Sequence, residues 1–338
     1  MRVMVAMSGG VDSSVAAALL RDEGHDVVGV TMRLWGGPSD SGCCSASDVD
    51  DARRVAQQLD IPHFVFSFED DFDRHVVDPY VEAHRSGRTP NPCVECNRHL
   101  KFDRLLDRAD ELGYDLLATG HHARIVDRDG RPALARAADE AKDQSYVLHV
   151  LDPATLARCR FPVGDLTKAE VRALAERLDL RTADKPESQD VCFITASAGR
   201  EAFLGDRIPL RPARLVDAGG REVGRVDAVE LVTVGQRRGL RLAGAAERRF
   251  AIDIDVEAGE VVVGTAEELL VDETPLVDLV VHEPIDEVLA QSSAHGRPTA
   301  ASLDGTVLRW SEPRPRVAPG QSVVLYDGDV VVGGAIAA

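Results

Sequence analysis

The apolar run from Arg2 to Met7 breaks at Ser8-Gly9-Gly10 and resumes at Val11 as VDSSVAAALLR, which has helical spacing. A strand that turns through glycines straight into a helix constrains the fold strongly, because unpaired helix amides then gather at the carboxyl end of the strand. The pattern repeats downstream. His25 to Thr31, Ile61 to Phe68 and Tyr114 to Gly120 read as strands, while Asp48 to Leu59, capped by Ser47 or Asp48, and Lys101 to Leu112 read as helices. Such alternation predicts a doubly wound α/β domain over residues 1–200, its parallel sheet covered on both faces.

After Arg200 helical periodicity fades into short valine-rich runs separated by glycine turns, as in LVDAGGREVG, VEAGEVVVGT and SVVLYDGDVVVGGAIA. This predicts two small, mainly antiparallel β domains over 201–273 and 274–338, the last a β-barrel, with Thr274-Pro275 as a candidate boundary. A length of 338 residues suits two or three domains. Gln291 to Ala301, rich in Ser and Ala, reads as a loose loop.

No apolar run reaches membrane-spanning length, and no basic leader precedes the first strand, so no membrane partner and a cytoplasmic chain are expected. With 39 Lys and Arg against 57 Asp and Glu, the formal charge of −18 argues on its face against a polyanionic partner. Local clusters soften that reading. Arg85 to Arg108 carries six cations and three acids, and Arg237 to Arg249 carries five arginines and one glutamate; solvated surface charge explains either one equally well. The six cysteines, Cys43, Cys44, Cys93, Cys96, Cys159 and Cys192, suit reactive or metal-binding roles better than a disulfide framework.

Glycines at 9 and 10 let the backbone approach a phosphate closely, the hydroxyls of Ser8, Ser13 and Ser14 add donors, and Asp12 suits a magnesium ion bound to pyrophosphate. No lysine follows as it does in the loop that serves transfer of a terminal phosphate. SGGVDSS after a first strand resembles the PP-loop of the ATP pyrophosphatases, which attack ATP at its α-phosphate. That resemblance alone leaves amidation, argininosuccinate formation, lysidine synthesis and tRNA thiolation open.

The cysteine segments GRTPNPCVECNRHLKF (87–102) and DKPESQDVCFI (184–194) choose among these. Prolines 90 and 92 predict an extended loop before the Lys101 helix, and a helix start with Arg98 and Lys101 nearby favours a thiolate at Cys96. Cys192 follows a polar loop containing Lys185, which suits a mobile sulfur carrier. With ATGHHARI, KDQSY, FPVGDLTKAEVR, TVGQRRGL and the terminal PGQSVVLYDGDVVVGGAI, these segments resemble the tRNA-specific 2-thiouridylase family along nearly the whole chain.

The resemblance implies ATP-dependent 2-thiolation of the wobble uridine (position 34) of lysine, glutamate and glutamine tRNAs. ATP would adenylate the 2-oxygen, a persulfide on Cys192 would supply sulfur, and Cys96 would be the nucleophile that releases it, leaving a Cys96–Cys192 disulfide. A cysteine desulfurase or sulfur-relay protein would reload Cys192. By the same resemblance Ala6, Met7, Ser8, Gly9, Gly10, Val11, Asp12 and Ser13 would hold ATP and Mg²⁺, with Met32 and Gly120 on the adenosine side. Asn91, Pro92 and Cys93 would meet the target base, and His121, Lys142, Asp143, Gln144, Arg309, Trp310 and Gln321 would contact tRNA. Taken on its own, the GHH pair reads as satisfied loop histidines.

Two departures stand out. Cys93 stands where some relatives have aspartate, which creates Cys93-x-x-Cys96 and, with Cys192, a possible three-cysteine set for an iron–sulfur cluster. Before TVGQRRGL, the stretch GRVDAVELV has Val226 where a histidine is expected. Another PP-loop ligase or amidase is the competing function; Cys159 reads as a packed thiol on a helical stretch.

Overall fold

The computed structural model describes residues 1–37, 46–186, 191–195, 197, 199–242, 248–283 and 285–338. Cys43, Cys44 and residues 187–190 of the second cysteine segment lie outside them. The chain forms two compact units: Met1–Val77 with Pro92–Ser197 and Asp329–Val331, and Asp78–Asn91 with Ala198–Gly328 and Val332–Ala338.

In the first unit, strands β1 (Arg2–Ala6), β2 (Asp26–Arg33), β3 (His63–Ser67), β4 (Leu116–Thr119) and β7 (Cys159–Arg160) form one parallel sheet in the order β3-β2-β1-β4-β7. The order reverses between β1 and β4, the place where open α/β sheets leave a crevice at their carboxyl ends. Ala6 and Thr119 are register partners there, so the turns after β1 and β4 leave the sheet side by side. Helices Val11–Asp22, Ala46–Gln58 and Lys168–Arg177 bury Val15, Ala52, Val55 and Val171 in the same cluster as Val3 and Val5 of β1.

The expected Lys101–Leu112 helix begins earlier. Pro92, whose missing N–H costs nothing at a first helical position, opens a turn over Pro92–Glu95; wide π-type turns follow over Cys96–Arg104, then an α-helix over Leu105–Glu111. A hairpin, β5 (Ala123–Arg128) and β6 (Arg131–Arg136), turns at Asp129-Gly130, both with positive φ (53° and 77°). Cys159 lies in strand β7 rather than on a helix. It is fully buried, and burial pushes its thiol up to about 12, in keeping with a packing role.

In the second unit, β8 (Ala213–Val216), β9 (Glu222–Val226), β10 (Arg241–Leu242), β11 (Phe250–Asp255) and β12 (Glu260–Gly264) form a sheet in the order β10-β9-β8-β12-β11. It is mixed, because β8 and β12 run parallel. Strands β13 (Leu270–Val281), β14 (Glu287–Gln291), β15 (Thr299–Asp304), β16 (Val307–Pro315), β17 (Ser322–Asp327) and β18 (Val330–Ala337) follow one another as β13-β16-β15-β14-β17-β18, and β13 pairs with β18 to close the barrel.

Thr274 and Pro275, read as a boundary, lie inside β13. There the strand leaves its partner β16 at Pro275 and takes up β18 at Leu276, a changeover that tolerates a residue without an N–H. The expected loose loop is shorter than 291–301, because Gln291 ends β14 and Thr299 already starts β15. Among the described residues, no helix is long and apolar enough to cross a membrane.

Candidate active site

The turn after β1 is built by backbone proximity. Gly9 has φ +74°, and a Cβ on it would lie 2.3 Å from the Asp48 carbonyl oxygen; a Cβ on Gly120 would lie 2.5 Å from the Ser13 amide. A side chain at Gly9 would push the turn after β1 away from the Ala46–Gln58 helix, and one at Gly120 would push the turns after β1 and β4 apart. The Ser8 amide donates to Ser13 Oγ (3.2 Å), and the Ser13 and Ser14 hydroxyls donate back to the Gly10 carbonyl (3.1 and 2.8 Å). Gly10, the N-cap of the Val11–Asp22 helix, supplies no capping side chain, so the first-turn amides face the turn. Met32 is buried on β2 next to Thr31, whose hydroxyl donates to the Met7 carbonyl (2.8 Å).

Asp12, in the first helical turn, receives Lys168 Nζ on both carboxylate oxygens (2.7 Å each) and His122 Nε2 on Oδ1 (3.1 Å). Burial pushes its carboxyl upward, but the hydrogen bonds from His122 and Lys168 outweigh this and hold it below its usual value. Lys168 is placed by its helix: Thr167 and Glu170 form a capping box, and the Lys168 amide donates to Asp139 Oδ2 (2.9 Å). His122 is placed by Gln144, which accepts from its amide (2.9 Å) and donates to its carbonyl (2.8 Å). The His122 Nδ1 atom is buried and has no partner among the described residues.

Lys168 and His122 were not singled out from the sequence. The signals were present, since Lys168 opens a capped helix in the quoted LTKAE and His122 is half of the GHH pair.

His121 is packed against Phe102 and Phe161, bonded through Nδ1 to Thr119 Oγ1 (2.7 Å). Burial, then the charges of Lys101 and His122, push it well below its usual value, so it stays neutral. The ring expected to contact tRNA is thus buried, at 8% exposure. The Asp143 carboxylate likewise turns inward, accepting from the Ala137 and Ser145 amides, Ser145 Oγ and Arg136. Lys142 beside it is half-buried.

Cys93 is exposed and Cys96 is buried within the wide-turned helix, where Asn97 donates to the Val147 carbonyl (2.9 Å). Cys192 is half-buried; its neighbour Phe193 packs edge-on against Phe72 (5.6 Å) and beside Trp35 (6.1 Å). The Glu69–Phe72 turn also packs against Cys96–Arg104, so the two cysteine segments share a neighbour. Ahead of Cys192, Lys185 reaches Asp48 (2.5 Å) and Asp51 (2.7 Å), and Asp48 is the residue whose carbonyl abuts Gly9. Among the described residues no three His, Cys, Asp or Glu side chains converge as a metal-ligand set.

Of the residues expected to meet tRNA in the second unit, Asn91 lies in a loop and Gln321 donates to the Thr89 carbonyl. Arg309 is engaged with Glu273 and Asp304. Trp310 is in the barrel core, its Nε1 donating to Thr274 Oγ1 (2.9 Å). The indole is 8% exposed and its donor already has a partner.

Comparison with known proteins gives three consecutive matches to family profiles: a tRNA methyl transferase HUP domain over residues 1–196, a tRNA methyl transferase PRC-barrel domain over 201–265 and an aminomethyltransferase β-barrel domain over 292–337. The tRNA-specific 2-thiouridylase MnmA of Mycobacteroides abscessus is 47% identical over 358 residues, covering 99% of both chains. The proteins of that name from Chloroflexus aggregans (46%, covering 98% of this chain and 97% of the relative) and Roseiflexus sp. strain RS-1 (44%, covering 98% of both) are similarly close. With identity at this level from end to end, the chain belongs to the tRNA-specific 2-thiouridylase family.

Proposed function

We propose that this chain is an ATP-dependent tRNA 2-thiouridylase that replaces the 2-oxygen of the wobble uridine with sulfur. One observation carries the activation step: a glycine-lined helix start whose Asp12 is held by Lys168 and His122 where the turns after β1 and β4 emerge. Close-approach glycines and helix amides fit the phosphates of ATP. One carboxylate with hydroxyls beside it suits a magnesium ion that arrives already bound to the triphosphate and neutralises the leaving pyrophosphate.

The uridine 2-oxygen attacks the α-phosphorus and pyrophosphate leaves, converting a poor leaving group into AMP. The outer sulfur of a Cys192 persulfide then attacks carbon 2 and expels AMP. Cys96 attacks Cys192 Sγ, the bond to the transferred sulfur breaks, and the 2-thiolate departs with the tRNA. A thiol reductant returns the resulting disulfide to two thiols, and a cysteine desulfurase or sulfur-relay protein reloads Cys192. The common packing of both cysteine segments against the Glu69–Phe72 turn supports this pairing. The sulfur route proposed here needs only the two thiols and no iron–sulfur cluster.

In this reading residues 1–200 do the chemistry, and 201–273 and 274–338 hold lysine, glutamate or glutamine tRNA in the cytoplasm. The test is single-turnover thiolation of an unmodified tRNA transcript by persulfide-loaded protein. AMP, pyrophosphate and thiouridine should form in equal amounts, and Cys96→Ser and Cys192→Ser should bind ATP yet make no thiouridine. Retention of thiolation by either variant would overturn the sulfur route, and a ligase or amidase would not need the two cysteines at all.

A further inference from the structure

Arg237 and Arg238 differ from every other arginine between residues 200 and 242. Each of the others donates to a carbonyl or faces a carboxylate, as Arg211 does with Glu230 (2.8 Å) and Arg241 with Asp227 (2.7 Å). Arg237 and Arg238 are exposed, and neither side chain has an ion pair or hydrogen bond among the described residues.

The loop that carries them is nonetheless firmly built. The Thr233 amide donates to Gln236 Oε1 (3.0 Å), and Gln236 Nε2 donates to the Arg238 carbonyl (2.9 Å). Its backbone is stitched to β11 twice, Gly235 to the Ala251 carbonyl (2.8 Å) and the Ala251 amide to the Gln236 carbonyl (2.9 Å). Gly235 (φ +86°) and Gly239 (φ +81°) occupy the left-handed region on either side of the pair. Adjacent like charges repel, and among the described residues no carboxylate compensates for holding these two together in an ordered loop. In a chain of net charge −18 they make a local cationic point on a fixed base.

We infer that the Thr233–Leu240 loop is a clamp for the phosphodiester backbone of tRNA, with Arg237 and Arg238 each taking phosphate oxygens; this rests on the thiolation reading. Guanidinium forks match phosphate oxygens in pairs, and contacts of this kind position an RNA without reading its sequence. The −18 charge repels a polyanion at long range, so a local unpaired cationic point is what allows it to dock.

The test is equilibrium binding of unmodified tRNA to the full chain across a salt series, with ATP affinity as the control for folding. Arg237→Ala/Arg238→Ala should weaken binding roughly tenfold and lower the slope of log K against log salt by about 1 to 2, equally for cognate and non-cognate tRNAs. Arg237→Lys/Arg238→Lys should keep the slope and lose only part of the affinity. Unchanged affinity and slope in the alanine variant, with ATP binding intact, would overturn the clamp. Failure of the wild-type chain to bind tRNA at all would instead overturn the thiolation reading, and the clamp with it.

Discussion

Lys168 meets both oxygens of Asp12 in a part-buried network, whereas Arg237 and Arg238 stand in solvent and have no ion-pair partner among the described residues. Both places handle phosphate, on opposite plans. Beside the glycine turn most of the attraction comes from backbone amides that the fold has already aimed, and the cation is balanced in advance by a carboxylate. A small ligand entering a crevice needs that balance, because an uncompensated charge there would be expensive to bury. A large ligand meeting an open surface needs the reverse, since a surface cation already paired with an acid has little attraction left to offer.

The contrast predicts independent failure of the two regions. Asp12→Asn should cut tRNA-dependent pyrophosphate release by about 10²–10³-fold, the scale of losing one preorganised electrostatic partner, while tRNA affinity and its salt slope stay as they are. A parallel loss of tRNA binding would show that the regions are not separable.

Acid should separate them next. His84, on the Asp78–Arg85 helix that packs against Val229–Leu231, is buried, and its Nδ1 donates to the Glu230 carbonyl (3.2 Å). Burial, then the charge of Arg200, depress it to about 4. A histidine kept neutral in the fold contributes stability that is complete above its unfolded value near 6.5 and is lost as pH falls toward 4. The second unit should therefore lose about 3 kcal/mol across that window, and His84→Gln should flatten the loss in a pH series of denaturant melts. Burial raises the Asp12 carboxyl, but the hydrogen bonds from His122 and Lys168 hold it below its usual value, so no comparable loss is expected of the first unit.

The smallest expected effect is that of Lys168→Met. It leaves Asp12 to His122 alone and should cost about 2 kcal/mol of stability, less than a fully buried pair because Asp12 is partly open. Its tRNA salt slope should match wild type in the same binding assay.

The parallel sheet and its glycine turn were legible because period-2 runs, helical spacing and glycines are local signals. The β5–β6 hairpin had its signal too, the Asp129-Gly130 turn, but the four arginines and Asp127 on its strands hid the alternation. The helix start at Pro92 was hidden because proline signals an extended predecessor as readily as a first helical turn. Asp12 was legible from its place in SGGVDSS, whereas its partners lie 110 and 156 residues away, and no spacing rule reaches that far. The burial of Trp310 and His121 was hidden for the converse reason: an aromatic ring or imidazole in a motif looks available until its neighbours are seen to cover it.

Cys159 has a consequence for sulfur traffic. A protein that carries a labile sulfur atom on one thiol risks losing it to any other thiolate within reach, ending in wasteful exchange. Sealed in the sheet with its proton held to about 12, Cys159 is a mute bystander, so sulfur delivered to this half of the molecule has no route into the core.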